Sequence, residues 1–376
     1  MSFLRFLADR QEEMTGALRT FVEFESPSED KAAVDRFSAY IASLCGQLGA
    51  ETATFDRAHA GNIVRAGFGT GPGQALILCH LDTVWPLGEI GRRPFRIEDG
   101  KAYGPGIYDM KGGIVQALFA IKAIMVAKAD MPRKAVFLFT TDEEIGSTVS
   151  RELIEEEAGK SAFVLVLEPA WGPQGAVKLT RKGCGRFDVN VTGRSAHAGA
   201  DHARGINAVE EMAHQILKLQ AITDYSTGTT VSVGEIHGGM GHNVVPDKAS
   251  LMVDLRANTQ AELMAAKDKI TGLTPFLKGA TVTVTGDVTR PPLEATPGNL
   301  ALYEKARKLA EELGYDLPGT HVGGVSDGNF TSALGIPTLD GLGAMGDGSH
   351  ALDEHVVLSA MAPRAALIAG LLTNTP

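Results

Sequence analysis

The sequence predicts an α/β protein, a mixed sheet flanked by helices, carrying an inserted α+β domain. Three observations carry this expectation. "ALILCH" (75–80), "AVFLFTT" (135–141) and "AFVLVLE" (162–168) are near-continuous apolar runs, the pattern of strands covered on both faces. From about residue 180 the texture changes to alternation, as in "GRFDVNVTG", which marks a sheet with one solvated face. After "TRPPLEATPG" helical periodicity returns.

Taken in order, residues 3–24 and 30–48 read as helices by their 3.6-residue spacing. Between the first two apolar runs, "GGIVQALFAIKAIMVAKA" (112–129) reads as a strongly apolar helix, so strands and helices alternate as in a sheet covered on both sides. The insertion opens with "GRFDVNVTG" and continues with a helix whose stripe is Ile206, Val209, Met212, Ala213, Ile216 and Leu217. Strands "TTVSVGEIH" and "ASLMVDLRA", a helix over 259–273 and strand "ATVTVTG" complete a βαββαβ order, which is ferredoxin-like. A helix over 299–313, the segment "IPTLDGLG" and a terminal helix over 355–373 follow. The expected division is a discontinuous domain, 1–179 with 291–376, around an insertion at 180–290.

Composition narrows the function classes. The 376 residues are 44% hydrophobic and 21% charged, with 35 Lys plus Arg against 45 Asp plus Glu, a net charge of −10. That balance argues against nucleic acid or an anionic membrane as the partner. Cys45, Cys79 and Cys184 are far apart with no CxxC, so neither a disulfide scaffold nor a cysteine-zinc site is expected. The start "MSFLRFLADRQEEM" is amphipathic and lacks a signal-peptide pattern, and no run of the roughly 18 apolar residues a membrane span needs is read. A cytoplasmic location is the expectation, with a periplasmic one the alternative if a leader has been removed.

Each polar residue near a strand end has an ordinary reading when taken alone. His80 fits a core histidine, Asp109 a helix cap, Glu168 a turn residue, His350 a loop residue, and "DEE" (142–144) a solvated loop. Their shared position is what matters. His80, Glu144 and Glu168 stand at the C-terminal ends of buried strands, where open α/β sheets place their ligand crevice. Asp109 opens the neighbouring helix. Imidazoles with carboxylates are a zinc ligand set, and several carboxylates together call for more than one positive charge. Asp82, two residues past His80, is placed to hold the other imidazole nitrogen. In an extended segment neighbouring side chains point apart, so Glu143 and Glu144 can serve different ends, with Asp142 left solvated or capping.

"HLDTVW", "YGPGIYDMKGG", "TTDEEIGS", "EP", "GRSAHAG" and "GSHALDE" occur in this order. In them the chain resembles the di-zinc aminoacylase and carboxypeptidase family, most of all its glutamate carboxypeptidases of the carboxypeptidase G type. The resemblance spans essentially the whole chain and implies a zinc-peptidase-like catalytic domain with a lid and dimerisation domain inserted. Position by position it implies two Zn²⁺ per subunit (Co²⁺ or Mn²⁺ as alternatives), bridged by Asp109. His80 and Glu168 would complete one site, Glu144 and His350 the other. It makes Glu143 the general base, the Asp109–Met110 peptide cis, and His197 an oxyanion donor reaching across a homodimer. Lys178, Arg256, Arg290 and Asn243 match its grip on an acidic substrate group. The implied reaction releases a C-terminal Glu or Asp from a small peptide or N-acyl conjugate. Aminoacylase, di- or tripeptidase and succinyl-diamino acid deacylase activities share the same motifs. Tyr108, where a small residue is commoner, is a departure expected to narrow the pocket.

Two rival readings belong to other classes. "GVSDG" fits GxSxG with Ser326 as nucleophile, followed by Asp347 or Asp353 and His350 or His355. "PGTHVGG" before it is a poor buried strand, however, and the strand-end carboxylates stay unexplained. A non-catalytic binding dimer would be marked by lost ligands or a lost base, and all are present.

Overall fold

In the computed structural model, which describes residues 2–375, the three apolar runs form adjacent inner strands of a six-stranded mixed sheet, which also takes in Glu51–Phe55 and Ile63–Phe68, strands not expected from the sequence. Its order is Glu51–Phe55, Ile63–Phe68, Lys134–Thr140, Gln74–His80, Ser161–Val166 and Thr338–Leu339. The first two pairings are antiparallel and the rest parallel. Alternation along the central strands explains why their sequences are apolar throughout. Ile77, Cys79, Phe137, Phe139 and Leu165 face one core with Ile114, Ile121 and Leu367. Leu76, Leu78, Val136, Leu138, Val164 and Val166 face a second core with Ile154 and Phe330. Each buried Leu or Phe contributes about 1.5–3 kcal/mol, so register here is strongly specified.

Helix Gly112–Ala127 lies inside the first core. The segment Ile107–Ala127 is long and apolar enough to cross a bilayer, contrary to the sequence reading, but 72% of its apolar window is buried within the fold. Two other expectations change. Residues 3–24 form two helices, Phe3–Ala8 and Gln11–Glu23. The break is at Arg10, whose guanidinium turns back over the Phe6 ring at 3.9 Å and bonds the Phe6 carbonyl. The terminal helix begins only at Met361, because His355–Val357 is recruited as a strand beside Lys101–Tyr103 and Gly346–Asp347.

The chain divides into two compact units. One runs through Leu179 and takes in Ala295–His321 and the segment from Ser326 onward; the other is Thr180–Glu294 with Val322–Val325. The second unit extends past residue 290 because Leu293 bridges back to Arg181. Its antiparallel sheet has the order Thr230–Gly238, Lys248–Ala257, Gly183–Thr192, Thr281–Arg290. Helices Ala208–Gln220 and Gln260–Thr271 pack on one face, around Phe187, Val189, Val191, Met212, Leu255 and Ile270. Thr259 and Glu262 form a reciprocal cap on the second helix. The first helix buries Ala208, Glu211, Met212, Gln215 and Leu219, leaving Val209 and Leu217 of the expected stripe exposed. Glu211 can be buried because it accepts from the Phe276 and Leu277 amides and from Gln215.

Candidate metal centre

Five segments of the first unit bring the expected ligands together. His80 is the last residue of its strand, in register with Thr140. Asp109 sits in the turn Ile107–Lys111, and its peptide to Met110 is cis. Glu144 lies in a one-turn helix, Glu143–Ile145, just past strand Lys134–Thr140, and Glu168 follows strand Ser161–Val166 by two residues. His350 comes from a loop at φ 62°, a left-handed conformation that costs a residue with a β-carbon roughly 1–2 kcal/mol.

These side chains form two groups with one shared member. His80, Asp109 and Glu168 are one; Asp109, Glu144 and His350 are the other; within each, the ligand atoms lie within 4.8 Å of one another. His80 Nε2 is 3.2 Å from Asp109 Oδ1 and 3.6 Å from Glu168 Oε1. His350 Nε2 is 3.1 Å from Glu144 Oε2 and 3.6 Å from Asp109 Oδ2. Asp109 offers one oxygen to each group.

Two imidazole nitrogens with three carboxylates suit a pair of divalent ions. A second feature fits the same group: among the described residues, Glu144 Oε1 is a buried carboxylate oxygen without a hydrogen-bond partner, an arrangement that costs free energy unless a cation meets it. Burial and then the Asp109 charge hold the Glu144 carboxyl above its ordinary range, against the His350 hydrogen bond. Burial alone would raise Asp109, but the hydrogen bond and charge of His80 bring it down to about 2. His350 is raised to about 9, first by its hydrogen bond to Glu144.

The ligands rest on a buried frame. Asp82 is fully buried and accepts from Ser28 Oγ at 2.7 Å, Glu143 N at 3.3 Å and Glu144 N at 3.2 Å. Its backbone carbonyl, rather than its carboxylate, is the nearer partner of His80 Nδ1, at 3.0 Å against 3.6 Å. Glu143 and Glu144 occupy a 3₁₀ turn, where three residues complete a revolution, and not an extended segment. Asp142 is not solvated: it is fully buried and accepts from Val149 N and Ser150 Oγ. Sequence reasoning passed over Glu354. Its buried carboxylate accepts from the Gly106, Tyr108 and Asp109 amides at 2.8, 2.9 and 3.1 Å and from Trp85 Nε1. Its one visible signal is the acid that ends "GSHALDE".

The remaining expectations divide. Lys178 is buried with Nζ 3.8 Å from Glu168 Oε2, beside the first ligand group. In the second unit, strand pairing sets His197 opposite Val244, and Ala198 N donates to the Asn243 carbonyl, so His197 and Asn243 are neighbours. His197 Nδ1 accepts from Gly199 N and Ala200 N, both at 3.1 Å, which leaves the proton on Nε2 as a donor. Arg256 pairs with Asp254 at 3.0 Å, and Arg290 is buried. Tyr108 is buried in the core cluster, and its hydroxyl donates to the Ala170 carbonyl. Ser326 Oγ is fully buried and donates to Asp340 at 2.5 Å, with no triad geometry. Ser326 Oγ also accepts from Gly328 N at the start of the next helix, and Asp327 accepts from Thr140 Oγ1 and Ser147 Oγ.

A mixed sheet whose strand ends gather such donors is the framework of a metallohydrolase. Residues 76–374 match peptidase family M20/M25/M40, and the chain belongs to that family, a hydrolase of peptide or N-acyl amide bonds. It is 33% identical over 317 residues to carboxypeptidase G2 of Pseudomonas sp. (strain RS-16), covering 83% of this chain and 76% of that one. It is 26% identical over 310 residues to a succinyl-diaminopimelate desuccinylase of Thioalkalivibrio sulfidiphilus, covering 78% and 81%. The fold is that of the aminopeptidase PepT structure from Bacillus cereus, with TM-score 0.80, 22% identity, and 96% and 98% of the two chains covered.

Proposed function

We propose that the chain is a two-metal exo-hydrolase that releases a C-terminal Glu or Asp from a small peptide or N-acyl conjugate. The observation that carries the metal part is Asp109, shared between two three-residue ligand groups. His80, Asp109 and Glu168 would hold one ion, and Asp109, Glu144 and His350 the other, with Zn²⁺ the first candidate and Co²⁺ or Mn²⁺ the alternatives. When bound, such a pair acidifies water and polarises the scissile carbonyl.

The chain's own residues do the rest. Glu143 takes the proton of the attacking water and returns it to the leaving amine. Asp82 holds the Glu143 and Glu144 amides and the His80 ring in mutual register. His197 would supply an Nε2–H to the developing oxyanion from a partner subunit. Lys178, Arg256, Arg290 and Asn243 would receive the carboxylates of the leaving amino acid; arginine suits this through its bidentate fork. The likeness to carboxypeptidase G2 supports the acidic leaving group, whereas the desuccinylase likeness supports a second reading in which the acyl half is the anionic one.

The test is a screen of N-acyl-Glu, N-acyl-Asp, neutral N-acyl amino acids, dipeptides and succinyl-diamino acids on chelated and metal-reloaded protein. Acidic leaving groups should lead, and Arg256→Ala should lower kcat/KM for them about 10–100-fold, the loss of a charged hydrogen bond of roughly 1.5–3 kcal/mol. Unchanged kcat/KM in that variant rejects Arg256 as the reader of the leaving group.

A further inference from the structure

A cleft of about 580 Å³ opens beside Glu144. Val84, Pro86 and Leu87 line it from the segment that follows Asp82, and Ile145 lines it from the turn that carries Glu143 and Glu144. Val84, Leu87 and Ile145 are 42%, 49% and 50% exposed. Scattered apolar side chains at a surface need no explanation, but three converging on one concave site next to candidate metal ligands describe a ligand pocket.

We infer that this cleft is the acyl-side subsite, and that it takes an uncharged, apolar acyl group of several carbons. The inference rests on the hydrolase reading above and adds the other half of the substrate. A scissile amide has two arms, and they must leave the reacting carbonyl in different directions. Lys178, one of the residues assigned to the leaving amino acid, stands beside Glu168 in the first ligand group. The cleft starts at Glu144 in the second group. With Asp109 between the two groups, the arm on the Glu144 side is the acyl arm.

Charge sets the class. The residues lining the cleft include Glu29, Asp30 and Glu144 and no lysine or arginine. Asp30 is already engaged as the cap on Ala33 N, and Glu29 is exposed. A carboxylate at the far end of the acyl chain would lose water against apolar walls and meet only like charge. A succinyl group is therefore a poor occupant, whereas butanoyl, hexanoyl or benzoyl groups gain by burying carbon, up to about fourfold for each methylene removed from water.

The experiment measures kcat/KM on metal-loaded enzyme for acetyl, butanoyl, hexanoyl, benzoyl and succinyl groups, each joined to Glu and, in parallel, to Leu. Hexanoyl or benzoyl should exceed acetyl at least about tenfold, and butanoyl should exceed succinyl by about tenfold or more. Leu87→Lys should reverse the second ratio in favour of succinyl, and Leu87→Ser should shrink the first. Dissociation constants of the same compounds on Glu143→Ala protein should rank alike, so the ranking is readable even without turnover. A flat acyl profile, or a butanoyl-to-succinyl ratio that Leu87→Lys leaves unchanged, overturns the inference. A wrong assignment of the leaving group shows up separately, as Leu compounds matching or beating Glu compounds at constant acyl group.

Discussion

Asp82 accepts hydrogen bonds from Ser28 and from the Glu143 and Glu144 amides while standing 3.6 Å from His80. One buried carboxylate thus ties a candidate metal ligand at the end of one strand to a second candidate ligand and the proposed base in the turn after another. The division of labour in "DEE" can be checked directly. Glu144→Ala should lose bound metal, measured by atomic emission after exhaustive dialysis, because it deletes one of three donors in the second group. Glu143→Ala should retain the wild-type metal content and lose about 10²–10⁴-fold in kcat, the usual contribution of a general base. Equal metal contents in the two variants, or turnover surviving in Glu143→Ala, would reject the assignment. At this scale the grouping of His80, Glu144 and Glu168 was legible because residue type and strand-end position coincide, whereas Asp109 and His350 reach the same place from a turn and a loop. The buried role of Asp142 was not legible, because its partners Val149 and Ser150 are set by a turn that an acidic triplet does not announce.

At the scale of elements, the three continuous apolar runs were legible as strands because both of their faces are buried, whereas Ile63–Phe68, buried almost as fully, was missed because Arg65 interrupts its apolar run. His355–Val357 was misread as helix because its strand character comes from distant partners, Lys101–Tyr103 and Gly346–Asp347. That short strand follows Glu354, which clamps the turn bearing Asp109, so a misread element hides a supporting residue of the site. Glu354→Ala would strand three backbone amides in a buried turn. It should destabilise the fold by about 1–3 kcal/mol and weaken metal binding about 10–100-fold, read by urea unfolding and by metal titration. Stability without a change in metal affinity would make Glu354 a packing residue only. A second inter-element tie predicts a pH dependence. Glu157, on helix Arg151–Gly159, bonds Arg65 of one strand and Gln74 of another. Burial alone would raise its carboxyl, but hydrogen bonds from Lys160, Gln74 and Arg65 hold it below the ordinary range. Its contribution is therefore complete above the ordinary carboxylate range and is lost as the pH falls through the depressed folded value. Glu157→Gln should lower the urea midpoint at pH 7 and flatten its decline on acidification; a parallel decline in both proteins would reject the linkage.

For the molecule as a whole, the change in sequence texture near residue 180 had a direct physical cause, since the second unit's sheet is packed on one face and alternates accordingly. What the texture could not show is which apolar side chains of that unit stay exposed. Val209 and Leu217 are 40% and 70% exposed, as Ile236 is at 53% on the edge strand Thr230–Gly238. An exposed edge strand with apolar neighbours is a ready template for a second copy, which supports the proposed homodimer. His197 gives that proposal a catalytic test, because its Nε2–H points away from the two amides that occupy Nδ1. If the donor acts across a two-fold interface, an active site needs Glu143 from one subunit and His197 from the other. His197→Ala and Glu143→Ala homodimers should each be nearly inactive. Dissociated and reassociated together in equal amounts, they should regain about a quarter of wild-type activity, since half the dimers are mixed and each mixed dimer restores one site. Recovery should track the mixed dimer on native mass spectrometry. Inactive mixed dimers, or a His197→Ala enzyme as fast as wild type, would place the oxyanion donor elsewhere.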